Sequence, residues 1–144
     1  GFTGIGVADT FVHLDTRGAP QVMWTYWMLY TKNVNVTTAG TPATQILDIP
    51  SGFVAHWTML YISNLDNNNN QATVYVDKAD GTTLNIINGY TISNKNFLLF
   101  SDGLIVLQPE DVIMCSTESA GNMEFVVTID LLYQQAAYSN FNGA

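Results

Sequence analysis

Ser51-Gly-Phe-Val-Ala-His-Trp-Thr-Met-Leu-Tyr-Ile-Ser63 and Met123-Glu-Phe-Val-Val-Thr-Ile-Asp-Leu-Leu-Tyr133 decide the fold. In the second stretch Met123, Phe125, Val127, Ile129, Leu131 and Tyr133 recur at every second residue, the period at which side chains share one face of a β-strand. Glu124, Thr128 and Asp130 fall on the other face, with Val126 and Leu132 among them. A long strand follows, one face in a core and the other partly exposed. In the first stretch the same period groups Phe53, Trp57, Met59 and Tyr61, and sets His56 opposite them with Val54, Thr58 and Leu60. Neither stretch carries recognisable chemistry.

Outward from these two, short apolar runs alternate with turn signals from Lys32 onward. The spacing predicts seven to nine strands in an all-β antiparallel sandwich, jelly-roll-like. The remaining strands are expected at 33–38, 44–49, 72–77, 82–87, 96–100, 104–107 and 112–115. Pro50-Ser51-Gly52 combines a fixed φ with a permissive glycine, Asp80-Gly81 and Asp102-Gly103 fit hairpin turns, and Gln108-Pro109-Glu110-Asp111 supplies another bend. The run Asp66 to Asn70 reads as a solvated loop, because asparagine tolerates left-handed backbone. A calcium ion there would want more carboxylates than Asp66 offers, with Asp77 and Asp80 further along.

The domain division expected is an N-terminal arm over residues 1–31, a sandwich over 32–134 and a flexible or extended tail over 135–144. Within the arm, Met23, Trp24, Tyr26, Trp27 and Met28 crowd together without a clean period. That suits a strand buried on both faces or an arm laid on a partner.

The 144 residues suit one ordinary domain, 47% apolar but only 11% charged, less than half the usual charged share. Asn, Thr, Ser and Gln supply the polar cover, and an uncharged surface costs less to desolvate against a partner. Self-association is expected. Twelve acids against four bases give a net charge of −8. No basic patch is available for nucleic acid, and an anionic membrane would repel the chain. No apolar run approaches the ~18 to 20 residues that span a bilayer. Cys115, the one cysteine, lies in the apolar stretch Asp111 to Ser116 and reads as a buried, inert thiol. Neither a GxSxG elbow nor a phosphate-cradling glycine loop is present, and the acids Glu110 and Asp111 read as solvent-facing. No cofactor and no enzymatic activity are expected.

Gly4-Ile-Gly-Val-Ala-Asp-Thr-Phe-Val-His-Leu-Asp-Thr-Arg-Gly18, followed by Trp24, carries a chemical accent. Residues 1–27 resemble the C-terminal end of zinc-dependent D-Ala-D-Ala peptidases of the M15 type. There a Gly-x-Gly stretch leads into Phe-Val-His-x-Asp-x-Arg and a tryptophan, and the histidine binds zinc. The resemblance would make His13 a ligand, with Asp15 and Arg17 as neighbouring pattern residues. The family's upstream His and Asp ligands and its glutamate base have no counterpart ahead of this segment. The chain is expected not to be a peptidase, and His13 would enter a metal site only in a longer polypeptide.

Ala43-Thr-Gln-Ile-Leu-Asp-Ile-Pro-Ser-Gly-Phe-Val-Ala-His-Trp-Thr-Met-Leu-Tyr-Ile-Ser-Asn64 resembles the opening of small β-sandwich virion proteins of tailed phages. Ala72 to Asp77 and Asp102 to Met114 continue the likeness, which covers about residues 32–134. It implies a capsid decoration or cement protein, or a tail or connector component. The location would be the virion, and the partners a homo-oligomer, possibly a trimer, and the major capsid or other virion proteins. Trp24, Tyr26 and Trp27 are the expected interface anchors, since Trp and Tyr are favoured at interface centres. Two other readings are an accessory part of a phage cell-wall peptidase, and a carbohydrate-binding sandwich using Tyr61, Tyr75 and Tyr90.

Overall fold

The computed structural model describes residues 4–7, 12–15, 22–25, 29–38, 42–102, 105–119 and 121–133; for 4–7, 12–15, 22–25, 29, 30, 33 and 38 it describes the backbone. The strands are β1 (Gly4–Val7), β2 (Val12–Asp15), β3 (Val22–Thr25), β4 (Leu29–Thr38), β5 (Thr44–Asp48) and β6 (Phe53–Asn64). Then come β7 (Asn70–Asp77), β8 (Thr83–Ile92), β9 (Phe97–Phe100), β10 (Ile105–Leu107), β11 (Val112–Thr117) and β12 (Met123–Tyr133). No helix occurs among the described residues.

The stretch expected as an extended arm contributes a three-stranded sheet in the order β2-β1-β3. Its central strand pairs antiparallel with β2 and parallel with β3, so Gly6 has His13 on one side and Trp24 on the other. Strand β4 starts at Leu29 and runs across the expected arm–sandwich boundary.

Strands β4 to β12 make two antiparallel sheets. One has the order β10-β6-β12-β4, with β9 also paired to β6; the other has the order β5-β11-β7-β8. Both β9 and β10 lie on the same edge of β6. The shorter covers Ala55 to Trp57 and the other covers Leu60 to Ser63. Counted as one interrupted strand, they give eight strands in two sheets of four, with the chain crossing between sheets at nearly every connection. That is the order of a jelly roll. The fold is all-β and jelly-roll-like, as the periodicity implied.

The core lies between the sheets. Met123, Phe125, Val127 and Ile129 are fully buried and Leu131 nearly so, the face that the period of two selects. Tyr133 departs from it, 43% exposed at the strand end, with its ring edge-on to Phe53 at 5.3 Å. Cys115 is buried, and burial pushes its thiol up to about 12.

Strand β6 does not keep a strict period. Trp57 pairs with Ile129 and Met59 with Thr128, so Thr58 is an extra residue that bulges out of the ladder. Core-facing positions are Ala55 and Trp57 before the bulge, then Leu60, Ile62 and Asn64 after it. The expected grouping of Trp57 with Met59 and Tyr61, and of Leu60 with His56, is thereby corrected. The bulge is held by Trp57 Nε1 donating to Met59 O at 2.8 Å and Thr58 Oγ1 to Thr128 O at 3.2 Å.

Two polar expectations also change. Asn67, Asn68 and Asn69 are exposed as a loop should be, but Asn70 begins β7 and is buried, as is Asn64. Asn64 Nδ2 donates to Asn68 O at 2.8 Å and Ile92 O at 3.0 Å, and Asn70 joins Ser119 through both its amide atoms. These side chains supply the hydrogen bonds that the irregular backbone cannot make to itself. Asp111 is fully buried rather than solvent-facing. Its carboxylate accepts from Lys78 Nζ at 2.5 Å, Gln108 N at 2.7 Å and Ala79 N at 3.1 Å. Burial pushes its carboxyl up, but the Lys78 ammonium and the two backbone N–H groups outweigh that and hold it below the ordinary carboxylate range.

Candidate interaction surface

Residues directly opposite one another in an antiparallel pair point to the same side of the sheet. Phe100 is opposite Leu60, Leu84 opposite Val76 and Tyr90 opposite Ala72, and all three of those partners are core residues. The three large side chains therefore have the inward phase, yet Phe100 is 49%, Leu84 44% and Tyr90 53% exposed. They sit on β8 and β9, the last strands of their sheets on one side. The core is not closed along this flank.

A cleft of about 140 Å³ marks the opening, lined by Trp57, Thr58, Met59, Leu60, Ile86, Phe100 and Ile105. Its origin is in the sequence. Trp57 is paired to Ile105 of β10 and Leu60 to Phe100 of β9, so the bulged pair Thr58 and Met59 falls at the break between those two strands. Ile86 comes from the other sheet. It is itself an extra residue, since Val74 pairs with Ile87 and Tyr75 with Asn85, which lets consecutive isoleucines both face inward.

The outer side of the same edge is also apolar. Phe97 is 57%, Leu99 48% and Val106 47% exposed, and the Phe97 ring lies 5.5 Å from that of Tyr61. Of the eight large hydrophobic side chains exposed among the described residues, six lie on β8, β9 and β10. Those strands contain no charged residue; from Thr83 to Leu107 the only charges are Lys95 and Asp102, both in turns. Lys95 is engaged, its ammonium donating to Leu65 O.

Trp24 is a residue of β3, while Tyr26 and Trp27 lie outside the described residues. The three tyrosines of the carbohydrate reading do not form one site: Tyr61 faces out from one sheet, Tyr75 out from the other, and Tyr90 belongs to the open flank. His56, opposite Val106 and Asp130, is in no metal-binding group of three among the described residues. His13 is a residue of β2, where only the backbone is described. The open flank itself was not singled out in the sequence. Its signal was the unbroken Phe97-Leu98-Leu99-Phe100 in a short strand, and the long stretch without charge around it.

No family model matches the sequence, and no curated protein matches it. Solved structures do. A chain from Bacillus endospore appendages, disulfide-linked pili, is 14% identical with a TM-score of 0.49, over 77% of this chain and 92% of that one. One from the acid-stable capsid of Helicobacter pylori bacteriophage KHP30 is 14% identical with a TM-score of 0.48, over 76% and 95%. One from the capsid asymmetric unit of cyanophage Pam1 is 14% identical with a TM-score of 0.45, over 90% and 98%. The resemblance of residues 1–27 to zinc peptidases has no counterpart among these three. The strand order alone carries the fold assignment.

Proposed function

We propose that this chain is a structural protein of a virus particle, without enzymatic activity, acting as a capsid decoration or cement protein. The observation that supports this most is the jelly-roll strand order in a chain of low charge whose sandwich is open and apolar along one flank. Jelly rolls recur in viral shells and in lectins, so the order is a fold-level analogy and the flank is what turns it towards assembly. An uncharged apolar edge has little to offer a polar substrate. It has much to offer a protein surface, because covering it removes apolar area from water without desolvating a charge. The resemblance of residues 32–134 to phage virion sandwiches supports the same reading, with location in the virion and contacts to the major capsid or other virion proteins. A tail or connector role is the nearest variant of it.

The test is quantitative mass spectrometry of density-gradient-purified particles from the source of the sequence. Decoration predicts peptides of this chain at a copy number comparable with the shell protein. A few copies per particle would move the role to the tail, and absence from particles would refute the reading.

A further inference from the structure

We propose that Asn88 is a self-modification site, at which the backbone nitrogen of Gly89 attacks the Asn88 carboxamide and turns it into a carboxylate. The inference concerns β8 alone and stands or falls independently of the structural reading above.

Sequence and bulge together expose the two reacting groups. Among the described residues, Asn88 is the one asparagine followed by glycine. Elsewhere the following residue has a side chain that crowds its own backbone nitrogen, and Gly89 has none. Strand β8 ends its sheet, so among the described residues one side of its backbone has no neighbouring strand. On the other side Ala72 pairs with Tyr90 and Val74 with Ile87, which sets Asn88 and Gly89 together against Thr73. The ladder is broken at this point, and Gly89 takes φ +60°. Both residues are exposed.

The hydrogen bonds agree. Gly89 N donates to Thr73 Oγ1 at 3.0 Å, an exposed bond to a hydroxyl where a regular ladder would supply a carbonyl. A hydroxyl donates as well as accepts, so it can take up the amide proton and pass its own to water. The Asn88 carboxamide makes no hydrogen bond among the described residues. Asn69 Oδ1 and Asn96 Oδ1, by contrast, are engaged by Asn94 N at 3.1 Å and Phe97 N at 2.8 Å. Asn64 and Asn70 are buried and bonded.

The step needs only water. Gly89 N loses its proton and forms a bond to Asn88 Cγ, the bond from Cγ to Nδ2 breaks, and Nδ2 takes up a proton and leaves as ammonia. The product is a succinimide. Water then adds at either ring carbonyl and opens the ring, leaving aspartate, or isoaspartate where the main chain runs through the former side chain. Nothing is oxidised or reduced. A strict ladder would resist the extra main-chain carbon of isoaspartate, but the bulge already departs from one. Strands β8, β9 and β10 hold no charged residue, so each conversion places the first charge on the open flank. That flank becomes costlier to bury against an apolar surface as the chain ages.

Peptide mapping by mass spectrometry of the folded full chain, held for several days at mildly alkaline pH, tests this. A gain of about one mass unit is expected at Asn88, as two products of equal mass that separate on chromatography. It should run about tenfold or more ahead of Asn85, Asn94 and Asn122, which are exposed but followed by residues with side chains. The rate should rise with pH, since the deprotonated nitrogen attacks. Asn88→Gln should abolish the gain, because the larger ring it would need closes far more slowly. The chain unfolded in guanidinium is the reference. A gain at Asn88 there and none in the folded chain would show that the strand holds the two groups apart, and overturns the proposal. An equal gain at all four asparagines of the folded chain, or a rate indifferent to pH, overturns it as well.

Discussion

The two flanks of the sandwich start from the same problem, two sheet edges that must meet over one core, and resolve it differently. On one side β4 and β5 approach each other across the sheets, Ile46 and Leu47 are buried, Val34 and Val36 pack on the core, and polar residues face out. On the other, β8 does not close on β9 or β10 in this way, and inward-phase Leu84, Tyr90 and Phe100 stay half in water. On the open side the β9–β10 edge is interrupted opposite the bulge in β6. Closure of a sandwich is thus decided edge by edge, and an open edge need not reflect a weak core.

The sharpest way to break this comparison is to truncate a large apolar side chain on each flank. Ile46→Ala should cost about 2–5 kcal/mol in urea unfolding, because a closed core cannot refill the space. Phe100→Ala, half in water already, should cost less, about 1–2 kcal/mol. Equal losses would mean that both flanks are closed in solution.

Asp111 spans the comparison at one end of the molecule. Its backbone accepts from Ile49 just after β5, and its carboxylate holds Lys78 and Ala79 just after β7. Asp111→Asn should cost about 1.5–3 kcal/mol, the usual range for a hydrogen bond to a charged group. Its folded-state carboxyl is held below the unfolded value of ~3.9, so the stability it contributes is present above that pH and is lost as pH falls through the lower folded value. Unfolding free energy should fall on acidification below about pH 4, less steeply in Asp111→Asn. Equal slopes would remove Asp111 as the cause.

Gly89→Ala should cost about 1–2 kcal/mol, since φ +60° disfavours a Cβ that would also come within 3.1 Å of Gln71 Oε1. The smallest effect sharpens the comparison most. Ile86→Phe, directed into the cleft, should leave stability unchanged or raise it by up to about 1 kcal/mol. Ile46→Phe on the closed flank should lower it by about 1–3 kcal/mol. A penalty of that size at Ile86 would show the cleft to be filled.

Much of this architecture was legible in the chain. The alternation from Met123 to Leu131 marked the buried face residue by residue, and the turn chemistry at Pro50, Gly81 and Pro109 separated strands that the structure contains. The two edges of the open flank were harder to read, for one physical reason. A bulge adds a residue without changing composition, so Thr58 and Ile86 shift the phase of their neighbours unannounced. The adjacent Ile86-Ile87 was the one trace, an apolar pair that a strict period of two does not allow on one face, and Thr58 left none. Which edges close is set by pairing between distant strands, and Asp111 was misread because burial of an acid depends on Lys78, thirty-three residues away.

Cys115 sits in the core with its thiol pushed up to about 12, so at neutral pH it is not ionised, and the sequence offers no second cysteine to pair with it. Any array built from this sandwich is consequently joined without covalent links through that residue. Thiol reductants should leave such an array joined, while dilution or mild denaturant should take it apart reversibly.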